Sequence, residues 1–144
     1  MSVTTKATAR WEGDLRGGSG RMRLPSGTYE GPFSYRSRFE AGAGRDTGTN
    51  PEELIAAALS GCYAMYLAAI LGKDGHTPES IDAEAAVTME PGKGITGGHI
   101  VVQVKATGLD DATLQAKAQE AARDCPVSKA LAGFEKTVEA KLVG

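Results

Sequence analysis

The segment that most constrains this chain is residues 54–71, where only Ser60, Gly61 and Cys62 interrupt apolar or aromatic side chains. At about 18 residues it sits at the lower limit for crossing a bilayer. Six of its residues are alanine, which keeps it weakly hydrophobic, and no other stretch of the chain suits a membrane. A helix apolar on nearly all sides and rich in small residues fits the centre of a soluble core, packed closely by its neighbours. Its start is marked by Asn50-Pro51-Glu52-Glu53. Asn50 suits the N-cap and Pro51 the first helical position, where a missing N–H is tolerated. Glu53 falls at the third position, from which a carboxylate reaches back in a capping box. The helix is predicted to run to about Leu71 and to stop at Gly72 or Gly75.

Several other segments alternate with a period of two, the signature of half-buried strands. Val3, Thr5, Ala7, Ala9 and Trp11 oppose Lys6, Thr8 and Arg10; Phe33, Tyr35, Ser37 and Phe39 oppose Ser34, Arg36, Arg38 and Glu40. Ile81, Ala83, Ala85, Val87 and Met89 form a third apolar face, Ile100, Val102, Val104 and Ala106 a fourth, and Val138, Ala140 and Leu142 a fifth. All are read as antiparallel, with residues 91–98 as a hairpin loop. A second helix starts near Asp110 or Asp111 and carries Leu114, Ala118, Ala121 and Ala122 on one stripe. It must end before Pro126, because the residue preceding a proline is pushed out of helical geometry. A short helix over residues 126–132 follows. The order of strands, long helix, strands, helix and strand defines an α+β fold. A length of 144 residues suits one domain, residues 1–144.

Composition removes several function classes. A formal charge of −2 offers no attraction for nucleic acid or an anionic membrane. Residues 1–14 contain no apolar core of a secretion signal. Two cysteines in such a chain point to a reducing, cytoplasmic compartment, where a bond between them would be transient and chemical. With only His76 and His99 to accompany the two cysteines, a zinc site lacks ligands, and no metal is expected. The glycine-rich stretches at residues 13–20, 42–48 and 92–98 match neither a dinucleotide fingerprint nor a phosphate loop, so no cofactor is expected.

Four residues stand as candidates for chemistry. A cysteine within an apolar helix is most often a small buried hydrophobe, and nothing beside Cys62 in sequence supplies the cation or dipole that a thiolate needs. Cys125 follows Leu114 by about three helical turns, so it points inward. It also precedes Pro126 as N-cap of the short helix, which sets its sulfur beside unpaired N–H groups and favours the thiolate. A cysteine merely tolerated at a helix junction fits the same pattern. Arg38 reads locally as a solvated charge and Glu52 as an ordinary first-turn carboxylate.

Trp11-Glu12-Gly13-Asp14, Arg38-Phe39-Glu40, the run from Gly48 to Leu54 that leads to Cys62, and Cys125-Pro126-Val127-Ser128 together resemble the OsmC/Ohr family. These are the osmotically inducible protein C and organic hydroperoxide resistance proteins. The match follows the family's order from residue 11 to about 131, and Arg38-Phe39-Glu40 looks more like the OsmC branch. The resemblance implies antiparallel sheets around a long buried central helix, in an intertwined homodimer with active sites at the subunit interface. It implies Cys62 as peroxidatic thiolate, Cys125 as resolving thiol, Arg38 as the cation beside the thiolate, and Glu52 as the carboxylate that orients Arg38. The expected activity is a thiol-dependent peroxidase that acts on organic hydroperoxides and, more weakly, on hydrogen peroxide. A lipoyl- or thioredoxin-type dithiol would be its reductant. The alternative is a redox sensor or binding module that uses the same pair without multiple turnover; a purely structural protein would leave both thiols unreactive. Ten residues separate Glu52 from Cys62, about 15 Å along one straight helix, so a site using both draws Glu52 and Arg38 from the partner chain.

Overall fold

The computed structural model describes residues 1–144 and divides them into two units, Met1–Leu54 and Ile55–Gly144, each with its own three-stranded sheet. In the first unit, β1 (Thr8–Glu12), β2 (Ser19–Leu24) and β3 (Tyr29–Phe33) pair antiparallel in that order. Trp11, Gly20 and Phe33 lie opposite one another across the three strands. The two rings meet with centroids 5.4 Å apart. A Cβ on Gly20 would lie 2.5 Å from Phe33 and 2.8 Å from Trp11, so only glycine lets these rings close over the sheet.

Two expectations change here. The first strand begins at Thr8 rather than Val3, which is exposed. The alternating residues 33–40 are not a strand: Tyr35–Phe39 form a short helix, α1. Ser34 caps it by accepting the Ser37 N–H, and the Ser37 hydroxyl accepts the Ser34 N–H in return, a complete capping box. Tyr35 and Phe39 alternate with polar neighbours, but they are also four apart. In the helix they share a face, with ring centroids 4.9 Å apart.

Helix α2 (Pro51–Lys73) then runs without a break through the apolar segment and into the second unit. Asn50 accepts the Glu53 N–H as expected of an N-cap, at 2.8 Å. The Glu53 carboxylate does not complete a capping box; it accepts the Thr49 hydroxyl at 2.6 Å instead.

The second unit continues with β4 (Ser80–Glu90), β5 (Gly94–Lys105), α3 (Asp111–Asp124), α4 (Pro126–Ala130) and β6 (Lys136–Leu142). β4 and β5 form the expected antiparallel hairpin, with its turn confined to residues 91–93. β6 pairs parallel to β5, which corrects the antiparallel expectation. The reason is the crossover: α3 and α4 carry the chain back to the starting end of the sheet, as a parallel connection requires. Asp110 caps α3, and the expected stripe of Leu114, Ala118, Ala121 and Ala122 is buried.

The core of this unit joins the inner face of β5 (Ile100, Val102, Val104) to Leu59, Tyr63, Leu67 and Leu71 of α2 and to the α3 stripe. By length and composition α2 is apolar enough to cross a membrane. In a single chain only one side of it is buried; Ala57, Gly61, Met65 and Ala69 form an exposed stripe, with Met65 at 77% exposure. Burial on all sides, expected from composition, is therefore met on one face.

Leu67 is fully buried at the centre of this packing. Leu67→Ala should lower stability by about 2–5 kcal/mol through lost transfer energy and the residual cavity. Urea titration measures this; a loss below about 1 kcal/mol would place Leu67 outside the core.

Candidate active site

Chemistry-bearing residues gather in two clusters, one in each unit. In the first unit, three buried polar residues hold α1 to the start of α2. Ser37 donates its hydroxyl to the Thr49 carbonyl at 2.7 Å, and Asn50 donates its amide to the Ser37 carbonyl at 2.8 Å. This lock sets Arg38 beside Glu52. The guanidinium donates from Nη2 to Glu52 Oε1 at 2.9 Å and from Nε to Oε1 and Oε2 at 3.3 and 3.4 Å. The Glu52 side chain is 8% exposed and that of Arg38 39% exposed. A buried carboxylate thus fixes a cation that still reaches solvent, and Nη1 keeps its donors free of protein partners. Arg38 also lies over the Phe39 ring, 5.2 Å from the centroid. Beside it opens a cavity of about 260 Å³ lined by Trp11, Leu15, Phe33, Tyr35, Arg38 and Phe39. Arg38 is the one charged residue in a wall that is otherwise mainly aromatic and aliphatic, with Ser34 as its other polar side chain.

The second cluster holds both cysteines, as free thiols. Cys62 is half-buried, and its Sγ accepts the Val127 N–H at 3.5 Å. Cys125 is fully buried where α3 ends and α4 begins, as the C-cap of one and the N-cap of the other. The sequence places the amides of α4 at the sulfur of Cys125, but Cys125 makes no side-chain cap and the amide of Val127 goes to Cys62. The expected thiolate preference of Cys125 is reversed as well. Burial pushes its thiol above the ordinary value of 9.0. The Ser128 N–H opposes this without closing a capping hydrogen bond; Cys62 adds to the rise through charge and hydrogen bonding, and the Lys136 ammonium opposes it. Tyr63, buried next to Cys62 in sequence, donates its hydroxyl to the Ala118 carbonyl at 3.1 Å and ties α2 to α3. Burial, with the nearby Cys125, pushes its phenol upward too.

The larger hollow of the second unit, about 490 Å³, lies between Arg123, Lys129, Phe134 and Lys136 and has neither cysteine in its wall. Volume therefore does not mark the chemistry. The sequence indicates free amides at the start of α4 but not that Cys62, from another helix, takes the one on Val127. The aromatic cavity is foreshadowed by Trp11 and Phe39, which stand in the two motif stretches Trp11-Glu12-Gly13-Asp14 and Arg38-Phe39-Glu40.

The paired Arg38 and Glu52 and the paired cysteines describe a thiol-based redox protein. The family model described as OsmC-like protein matches residues 44–141, and the chain belongs to the OsmC family. It is 38% identical over 135 residues to "Peroxiredoxin OsmC" of Escherichia coli (strain K12), which covers 91% of this chain and 92% of that protein. It is 36% identical over 99 residues to the "Organic hydroperoxide resistance protein" of Xanthomonas axonopodis pv. citri (strain 306), 64% of this chain and 65% of that one. Among solved structures, the OsmC-like protein from Mycoplasma pneumoniae superposes with a TM-score of 0.72 over 100% of both chains at 13% identity, a likeness of fold.

The buried thiol has a consequence for stability. Burial raises the Cys125 thiol above its ordinary value of 9.0 in the folded chain. Its contribution is therefore fully present below that pH and is lost as the pH climbs above it, since the unfolded state gains the thiolate first. Urea midpoints measured under reducing conditions from about pH 7 to about pH 10 should fall more steeply for wild type than for Cys125→Ala. Equal slopes would show that burial of Cys125 does not hold its proton.

Proposed function

We propose that this chain is a cytoplasmic thiol peroxidase that reduces organic hydroperoxides, and hydrogen peroxide more weakly. Cys62 is the attacking sulfur and Cys125 the resolving one. The observation that carries this reading is the half-buried Cys62 sulfur, held by the Val127 N–H beside a second, fully buried cysteine. The names of the Escherichia coli and Xanthomonas relatives support the same class.

In the proposed cycle the Cys62 thiolate attacks the distal peroxide oxygen and the O–O bond breaks. The alcohol leaves, and Cys62 becomes a sulfenic acid. The Cys125 sulfur then bonds to the Cys62 sulfur and the sulfenic oxygen leaves as water. An external dithiol of lipoyl or thioredoxin type reduces the disulfide by exchange. Arg38, oriented by Glu52, stabilises the thiolate and the departing oxygen, a task suited to a cation that stays charged and donates several hydrogen bonds. The apolar wall around Arg38 supports an organic substrate over hydrogen peroxide, because an alkyl or aryl tail gains by leaving water there.

We infer further that the two units form one OsmC-like domain, residues 1–144, and that two chains form a homodimer. The family match at residues 44–141 spans the boundary between the units. The unbroken α2 separates Glu52 from Cys62 by about 15 Å along its axis, so the Glu52 and Arg38 that serve one Cys62 belong to the other chain. The exposed stripe of Ala57, Gly61, Met65 and Ala69 supplies an apolar face for that partner.

Two experiments separate these claims. Cys62→Ser should abolish consumption of tert-butyl hydroperoxide with a dithiol reductant. Cys125→Ser should react once and then stall or over-oxidise. Undiminished turnover by Cys62→Ser removes the peroxidase reading, and a single wild-type oxidation without turnover turns it into a sensor. In differently tagged, co-expressed heterodimers, Cys62→Ser paired with Arg38→Met should recover about half of wild-type activity per dimer, since one composite site stays intact. An inactive heterodimer of two inactive variants would show that Arg38 serves the Cys62 of its own chain.

A further inference from the structure

Helix α4 is only five residues long, far too short to hold its own position in water. It nevertheless carries the Val127 N–H that meets Cys62, and Cys125 is its N-cap. Its place depends on anchors. One is Ser128, buried within it, whose hydroxyl donates to the Ala122 carbonyl of α3. The other is Lys136, the first residue of β6, which is paired to Gly98 of β5. The Lys136 ammonium spends all three of its protons on backbone carbonyls: Ser128 at 3.0 Å, Leu131 at 2.6 Å and Phe134 at 3.0 Å. Leu131 is the C-cap of α4, so two of these bonds close the end of the helix opposite the sulfurs. The ammonium also lies 4.9 Å from the Phe134 ring centroid. A lysine committed in this way is not a solvated surface charge.

We propose that Lys136 is a positioning residue for disulfide formation, clamping α4 to the sheet so that Cys125 stays within bonding reach of Cys62. This rests on the reading of Cys62 and Cys125 as a reacting pair. The step it serves is balanced without a further reagent. The Cys125 sulfur attacks the sulfenic sulfur of Cys62, an S–S bond forms and the S–O bond breaks. Hydroxide leaves and takes up the proton released by the Cys125 thiol, as water. Cys125 is oxidised by one electron and Cys62 reduced by one. Loss of that proton is the difficult part, since Cys125 is fully buried. The titratable groups that bear on Cys125 are Cys62 and Tyr63 from α2 and Lys136 from β6. Lys136 alone among them carries a positive charge, and it favours the resolving thiolate. The residue thus acts on Cys125 in two ways, by holding its helix and by easing its ionisation.

The test oxidises reduced wild type, Lys136→Met and Lys136→Arg with one equivalent of tert-butyl hydroperoxide. Peroxide loss reports the first step, dimedone trapping reports the sulfenic acid, and alkylation followed by mass spectrometry reports the disulfide. In Lys136→Met the first step should slow by no more than about threefold, because one long N–H···S bond is all that Cys62 draws from α4. Disulfide formation should slow by about tenfold or more, with trapped or over-oxidised Cys62 accumulating. Its pH profile should also move upward, and Lys136→Arg, which keeps the charge, should move it back. A merely structural lysine would alter stability without moving the profile. If Lys136→Met does not fold, Lys136→Gln, which keeps two neutral N–H donors but no charge, takes its place with the same expectations. Wild-type protein that forms no disulfide overturns the underlying pair itself. Wild type that does so, alongside a Lys136→Met variant with unchanged rate and profile, overturns only the role of Lys136.

Discussion

The continuity of α2 is the constraint on which the rest depends. Asn50 caps it, Pro51 sits where its absent N–H is harmless, and no proline or kink interrupts it before Lys73. A rod of this kind cannot bend Glu52 back toward Cys62, which is why the proposed mechanism, using both residues, draws on a second chain. The composition of the helix agrees with that requirement. Large residues such as Leu59, Tyr63 and Leu67 fill the core of one chain. On the opposite side the small residues Ala57, Gly61 and Ala69 flank an exposed Met65, an apolar face suited to another surface.

What the sequence revealed followed from local physics. The cap at Asn50, the α3 stripe and the alternation of β4 and β5 are decided within a few residues, and they are where the pattern puts them. What it concealed depends on partners distant along the chain. β2 is hidden in the sequence because its one fully buried position is Gly20, whose lack of a side chain is the requirement set by Trp11 and Phe33. The strand expected at residues 33–40 failed because Tyr35 and Phe39 satisfy a period of two and a spacing of four at once, and the Ser34–Ser37 box decides for the helix. The direction of β6 is a property of the crossover, which its own alternation cannot encode.

The candidate site divides in the same way. Arg38, Glu52 and the two cysteines came from a motif resemblance, and the structure pairs Arg38 with Glu52 in one unit and Cys62 with Cys125 in the other. Along the chain the amides of α4 fall to Cys125, the residue that precedes them. A sulfur from another helix takes the Val127 N–H instead, and only a fold supplies that neighbour.

The inequality of the two sulfurs then follows from burial. Cys62 is half-buried and holds a backbone hydrogen bond, so a negative sulfur there has a donor. Cys125 is fully buried, and the low-dielectric surroundings that push its thiol upward keep it protonated. A protonated, enclosed thiol is a poor target for peroxide, and in the proposed cycle this would protect Cys125 from the oxidant that Cys62 meets. The same burial makes its own attack slow unless something eases proton loss next to it. The Ser128 N–H and the Lys136 ammonium both act in that direction, and both come from the segment that folds around Cys125. In the proposed cycle the short helix and its lysine clamp would thus reconcile two opposed demands on one sulfur, to stay unreactive toward peroxide and to react quickly with a sulfenic acid beside it.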